Sequence, residues 1–210
     1  MNNKLATPTL FGVTFLLLSA FSPLFSEPAT YNFKDPKGVN NVTFMLDAPL
    51  ESINGTADGI SGKVSFDPNA PQKTSGKIVV KVESLTVPNP EMQKSLLGDQ
   101  WMHEERYPEI VFETEKLKEV EQNGADYKAT AVGSLTVKGV TKEKEVPVRL
   151  TYLPGKLSAR SGGKMQGDLL VIRSSFGISR NAYNIKKGKY ADKVAETIEL
   201  RISIAGYNNN

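Results

Sequence analysis

Ile198-Glu199-Leu200-Arg201-Ile202-Ser203-Ile204 alternates apolar and polar residues without a break. A period of two places Ile198, Leu200, Ile202 and Ile204 on one face of a strand and Glu199, Arg201 and Ser203 on the other. The pattern recurs upstream. Val42, Phe44 and Leu46 alternate with Thr43 and Met45, and Ile78, Val80 and Val82 with Val79, Lys81 and Glu83. Ile110 and Phe112 flank Val111, while Val146, Val148, Leu150 and Tyr152 interleave with Pro147, Arg149 and Thr151. Tyr127 to Val137 and Met165 to Ile172 read as further strands with less regular alternation. Asn123-Gly124, Lys138-Gly139 and Pro154-Gly155 fall between runs and fit hairpin turns. Gly55, Gly59 and Gly62 lie along a strand-like stretch ending in Val64 and Phe66, where glycine marks a bulge or bend.

One region reads as helix. Asn89 suits an N-cap, Pro90 the first helical position, and Glu91 the positive end of the helix dipole. Met92, Leu96 and Leu97 have helical spacing, and Gly98 can end the element. A second helical turn from Asp99 to Arg106 stops at Tyr107-Pro108. Strands, a short helical insertion and more strands make one antiparallel barrel or sandwich. The barrel is preferred because the terminal strand, left as an open edge, is an aggregation hazard. Pairing it with the first strand, around Val42 to Leu46, removes that edge. At eight strands the interior either fills with side chains or holds one small ligand.

The N-terminus decides the compartment. Lys4 gives a basic start, Leu10 to Phe25 carries no charge, and Ser26 supplies a small residue before Glu27. This is the arrangement of a secretory signal, so residues 1–26 read as a signal peptide and 27–210 as the barrel domain. Removing 26 of the 210 residues leaves 184, enough for one sizeable core. The net charge of +3 falls to about +2 with the loss of Lys4, too even a balance for a general nucleic-acid binder. No other segment is long and apolar enough to span a bilayer. There is no cysteine, so neither a disulfide nor a thiolate metal site can form.

Catalytic chemistry is thin. His103 is the sole histidine, which excludes a site built on two histidines and leaves a surface residue near the barrel rim as its simplest reading. No nucleophile elbow or phosphate-cradling loop is present. No metal and no cofactor are expected, and binding is the better class. Trp101 and Phe176 fall outside the regular strands, where aromatics plug a barrel end or line a pocket mouth. Arg173, Arg180, Lys186, Lys187, Lys189 and Lys193 make the segment before the last strand basic, as a solvated loop or an attractor for an anionic head group.

Three strings carry a family resemblance. Tyr107-Pro108-Glu109-Ile110-Val111-Phe112-Glu113, the hairpin Gly133-Ser134-Leu135-Thr136-Val137-Lys138-Gly139-Val140-Thr141-Lys142, and Ile172-Arg173-Ser174-Ser175-Phe176-Gly177-Ile178 resemble, in order, segments of the YceI-like family. The resemblance implies an eight-stranded, lipocalin-like barrel with a helical insertion and a periplasmic or secreted location. It also implies an elongated apolar cavity for a polyisoprenoid or other long-chain amphiphile, and commonly a homodimer. One departure is plain: many members carry a histidine shortly after the first strand's aromatic, whereas this chain has Leu46-Asp47-Ala48-Pro49 there.

The expectation is a non-enzymatic carrier or sequestering protein for a lipid or isoprenoid, with an apolar tunnel and one polar or basic mouth. Its lining is expected from Phe44, Leu46, Val80, Val82, Phe112, Leu135, Val148, Leu150 and Leu200, with Trp101 and Phe176 at an end. The alternative is an interaction module whose barrel is filled by its own side chains.

Overall fold

A computed structural model describes residues 28–190 and 192–209; the expected signal peptide, 1–26, lies outside the described residues. In chain order the elements are β1 (Ala29–Asn32), β2 (Asn41–Asp47), β3 (Ser52–Ala57), β4 (Ile60–Phe66), β5 (Ser75–Lys81), β6 (Leu85–Thr86), α1 (Pro90–Leu97), β7 (Glu109–Asn123), β8 (Asp126–Val137), β9 (Val140–Leu153), α2 (Leu157–Ser161), β10 (Asp168–Ser179) and β11 (Thr197–Asn208). All pairings are antiparallel. The ring runs β1-β4-β5-β7-β8-β9-β10-β11 and closes where Asn32 of β1 meets Tyr207 of β11.

Closure rests on β11, as the edge argument anticipates. Its first half pairs with β2, Leu200 opposite Phe44 and Ile202 opposite Val42. The chain does not start there, however. β1 precedes β2, and the two follow one another along β11. β3 and β4 likewise succeed each other on that pair, and β5 with β6 completes the third stave, so the barrel has eight. Asn40 bridges the break between β1 and β2. Its side-chain amide donates to Ala205 O (3.1 Å) and accepts from Ala205 N–H (2.8 Å), standing in for the missing backbone.

The glycine stretch is a bent stave. β3 and β4 are interrupted only at Asp58-Gly59, where a Cβ on Gly59 would lie 2.8 Å from Ser84 Cβ. The neighbouring stave bends at the same level through a 3-10 turn at Val82–Ser84. The alternation that begins at Ile78 and Val80 therefore stops at Lys81, and Val82 is not a strand residue.

The helical insertion follows its sequence signals. Asn89 Oδ1 accepts from Glu91 N and Met92 N at 3.0 Å each, and the helix ends at Gly98. Asp99 to Arg106, expected as a further helical turn, is a series of tight turns with His103 at φ +52°. A second helix, α2, was not expected: after Pro154-Gly155 the chain makes one helical turn before β10 rather than a tight hairpin. Five residues are too few for a helical period to show. The other two turns are hairpins, with Gly124 at φ +58° and the Lys138-Gly139 pair at φ +49° and +73°.

Candidate ligand cavity

The inward residues divide into two packed ends with a void between them. At one end Tyr31, Phe33 and Phe66 are fully buried. Phe66 lies between Tyr31, Tyr127 and Tyr152 with ring centroids 6.4, 5.3 and 5.8 Å away. Burial pushes the Tyr31 hydroxyl far above the usual tyrosine value, so this plug stays neutral. Outside it, the loop from β1 to β2 folds over Asp35. Its carboxylate accepts from the backbone of Lys37, Val39 and Asn40 and from Arg160 of α2 (2.9 Å). Burial raises the Asp35 pKa, but those donors outweigh it and hold the carboxyl below its ordinary value.

The opposite end is covered by Leu96, Trp101 and Met102 of the helical insertion and by Ile185. Lys138 Nζ joins the two covering segments, donating to Gln100 O (3.0 Å) and Asn184 O (3.3 Å), and Lys186 Nζ meets the Gln100 side chain. Burial, opposed by Asp99 and reinforced by Lys186, lowers the Lys138 pKa from the ordinary lysine value.

Between the ends lies a cavity of about 200 Å³. One water needs roughly 10–15 Å³ by such a measure, so the barrel is hollow rather than filled. Among the described residues no charged side chain lines it, and besides the Trp101 indole its polar lining groups are the hydroxyls of Thr74, Thr114 and Ser174. Two of these are spent on the wall, Thr74 on Pro71 O and Ser174 on Pro147 O, both at 2.6 Å. What the interior offers chemically is dispersion and the exclusion of water.

Ten of the eleven expected lining residues border this cavity: Phe44, Leu46, Val80, Trp101, Phe112, Leu135, Val148, Leu150, Phe176 and Leu200. Val82 does not. The 3-10 turn takes it off the strand face, and it is fully buried in the packed mouth end. Phe176 corrects a second expectation: it lies inside β10, paired with Leu200, because β10 runs on to Ser179. A third correction concerns Arg180. Its side chain is 2% exposed, and it donates to the carbonyls of Ile185 (2.9 Å), Lys186 (2.5 Å), Lys189 (3.0 Å) and Ala195 (3.2 Å). It organises the segment over the mouth from within instead of belonging to a solvated basic face.

Sequence reasoning missed Leu117, Met102 and Ile185. Leu117 faces inward because the β7–β8 register shifts between Thr114 and Lys116, which reverses the parity set by Ile110 and Phe112. Met102 and Ile185 sit on irregular segments that no period marks. His103 is half-buried beside Tyr107, with rings edge to face at 5.7 Å. Among the described residues no group of three or more His, Asp or Glu is placed to hold a metal ion. No helix among them is long and apolar enough to cross a membrane.

Known proteins share this architecture. A UPF0312 protein of Yersinia pestis (strain Pestoides F) is 29% identical over 154 residues, 73% of each chain. The crystal structure of Burkholderia cenocepacia BcnA superposes with a TM-score of 0.64 at 20% identity, covering 79% of this chain and 95% of that one. A polyisoprenoid binding domain from Saccharophagus degradans, implicated in plant cell wall breakdown, superposes with a TM-score of 0.61 at 12% identity, over 88% and 100%. Those structural likenesses speak to the fold alone. The YceI-like domain itself matches residues 35–205, from the loop that seals the aromatic end to Ala205 within β11, and on that match the chain belongs to the YceI-like family.

Proposed function

We propose that the protein holds one long-chain apolar or amphipathic molecule, an isoprenoid or fatty-acid derivative, in its barrel. It carries or sequesters that molecule outside the cytoplasm without transforming it. The observation that carries this reading is the cavity of about 200 Å³, lined almost wholly by apolar side chains and closed at one end by aromatic rings. A chain moving from water into such a space gains about 0.8 kcal/mol per methylene before ordering costs. A barrel filled by its own side chains has no such void, so the cavity weighs against a pure interaction module. The relative described as polyisoprenoid binding supports the same ligand class. Export rests on the uncharged run from Leu10 to Phe25.

Mass spectrometry of an organic extract from natively purified protein tests the proposal. A long-chain compound approaching one per barrel is expected. Extracts without one, from protein that also takes up no added isoprenoid or fatty acid, overturn it.

A further inference from the structure

The barrel wall is not sealed along its whole length. β9 and β10 pair from Leu153 opposite Leu169 as far as Val148 opposite Ser174, and there the ladder stops. Beyond that point β9 continues through Val140–Pro147 bonded only to β8, and β10 through Ser175–Ser179 bonded only to β11. Pro147 supplies a cause: it has no N–H to give a neighbouring strand, and its carbonyl is taken by the Ser174 hydroxyl at 2.6 Å. Two strand edges thus face each other across a seam that reaches the mouth.

Lys144 stands in that seam. It shares the inward face of β9 with Val146, Val148 and Leu150, which line the cavity. Its Nζ crosses the gap to donate to Gly177 O at 3.1 Å and lies 6.0 Å from the centre of the Phe176 ring, itself a cavity wall. No carboxylate among the described residues lies within 4.0 Å of it. Glu199 sits at the outer face of Gly177, on the other side of the sheet. A half-buried ammonium at the edge of an apolar cavity, bonded to one neutral carbonyl, has capacity for a charge-assisted hydrogen bond that the protein leaves unused.

We infer that the seam between β9 and β10 is the headgroup site of the bound amphiphile, and that it takes an acidic group through Lys144. The chain lies in the cavity while the carboxylate or phosphate-type head projects through the wall, in reach of water and of Nζ. This rests on the chain-binding reading of the cavity and adds the chemistry of the ligand's polar end. Lys138 and Lys186 at the mouth are the competing cations. Both already meet Gln100, and Asp99 lies near Lys138.

The test uses the lipid-stripped protein and two probes of equal chain length, dodecanoate and dodecan-1-ol, each competing against a neutral fluorescent long-chain probe. The wild type is expected to bind dodecanoate roughly tenfold more tightly than the alcohol, the scale of one charge-assisted hydrogen bond. Lys144→Gln, which removes the charge, is expected to bring the two within about twofold by weakening the acid. Lys144→Arg restores the preference, and Lys186→Gln leaves it intact. Acetate, an anion without a chain, does not compete. Equal binding of acid and alcohol by the wild type, or a preference that survives in Lys144→Gln, overturns the headgroup site while leaving the chain-binding reading standing. Loss of the preference in Lys186→Gln alone moves the head to the mouth and overturns it as well. A wild type that binds neither probe overturns both readings together.

Discussion

Val148→Trp separates a hollow barrel from a filled one. Val148 lies on the inward face of β9 opposite Ala129 of β8 and Ser174 of β10, two small residues that leave room for a larger neighbour. Its side chain borders the cavity of about 200 Å³. An indole there displaces space that a guest chain uses. If it excludes about four methylenes at about 0.8 kcal/mol each, affinity falls by about 3 kcal/mol, on the order of a hundredfold. The fold should tolerate it. Overpacking a full core costs about 1–3 kcal/mol, which at roughly 2–4 °C per kcal/mol lowers Tm by roughly 2–12 °C. A hollow barrel instead takes the ring into existing space, and Tm stays within about 2 °C of the wild type. Lipid extraction from the natively purified variant, and melting curves on the same variant once its lipid is stripped, give the answer. A clear fall in Tm with unchanged lipid content refutes the reasoning, because it means the ring met side chains rather than a guest.

Three further outcomes are expected. Arg180→Met removes the guanidinium from four or more carbonyls it satisfies, which costs about 3 kcal/mol and lowers Tm by roughly 6–12 °C, with amide exchange rising first around Ile185 to Lys189. Asp35 has a folded-state pKa below its unfolded one, so its contribution is present above the unfolded value and lost as pH falls through the folded value. Asp35→Asn should therefore melt below the wild type at neutral pH, with the difference shrinking as melting curves are taken below about pH 4. N-terminal sequencing of protein from the native host should begin at or near Glu27; an intact Met1 counts against export.

What the sequence made legible follows from period. β11 announces itself because one face meets the cavity and the other meets water, and that contrast fixes both strand and register. The same contrast places eight strand residues of the expected lining and, through closure, the pairing of β2 with β11. The failures lie where the backbone departs from a straight ladder. Val82 continues the alternation on paper, but the stave bends there opposite Gly59, and the side chain moves out of the lining. Leu117 enters the lining only because a bulge reverses parity. Arg180 looks like one more cation in a basic segment. Its burial depends on carbonyls presented by a loop whose shape it helps to create, so no local pattern marks it. Asn40 is similar: its value lies in replacing backbone opposite Ala205, a partner 165 positions away.

The cavity also bears on why the wall is built as it is. A residual void destabilises a core by about 24 cal/mol per Å³, so about 200 Å³ left empty costs about 5 kcal/mol. Domains of this size have a net stability of about 5–15 kcal/mol, so the empty barrel gives up a large share of it. Replacing mid-barrel Val and Ile by Leu or Phe would remove that cost, yet Val42, Val80, Val146 and Val148 keep the wall thin between two well-packed ends. The aromatic plug, the Asn40 bridge and the Arg180-centred cover concentrate packing and hydrogen bonding at the ends, where they hold the staves apart. A guest that fills the void restores the missing contacts and binds only the folded state, so occupancy and stability rise together. On the chain-binding reading, recognition of the hydrocarbon lies in a deficiency of the core, and the ammonium of Lys144 at its edge is left to meet the polar end.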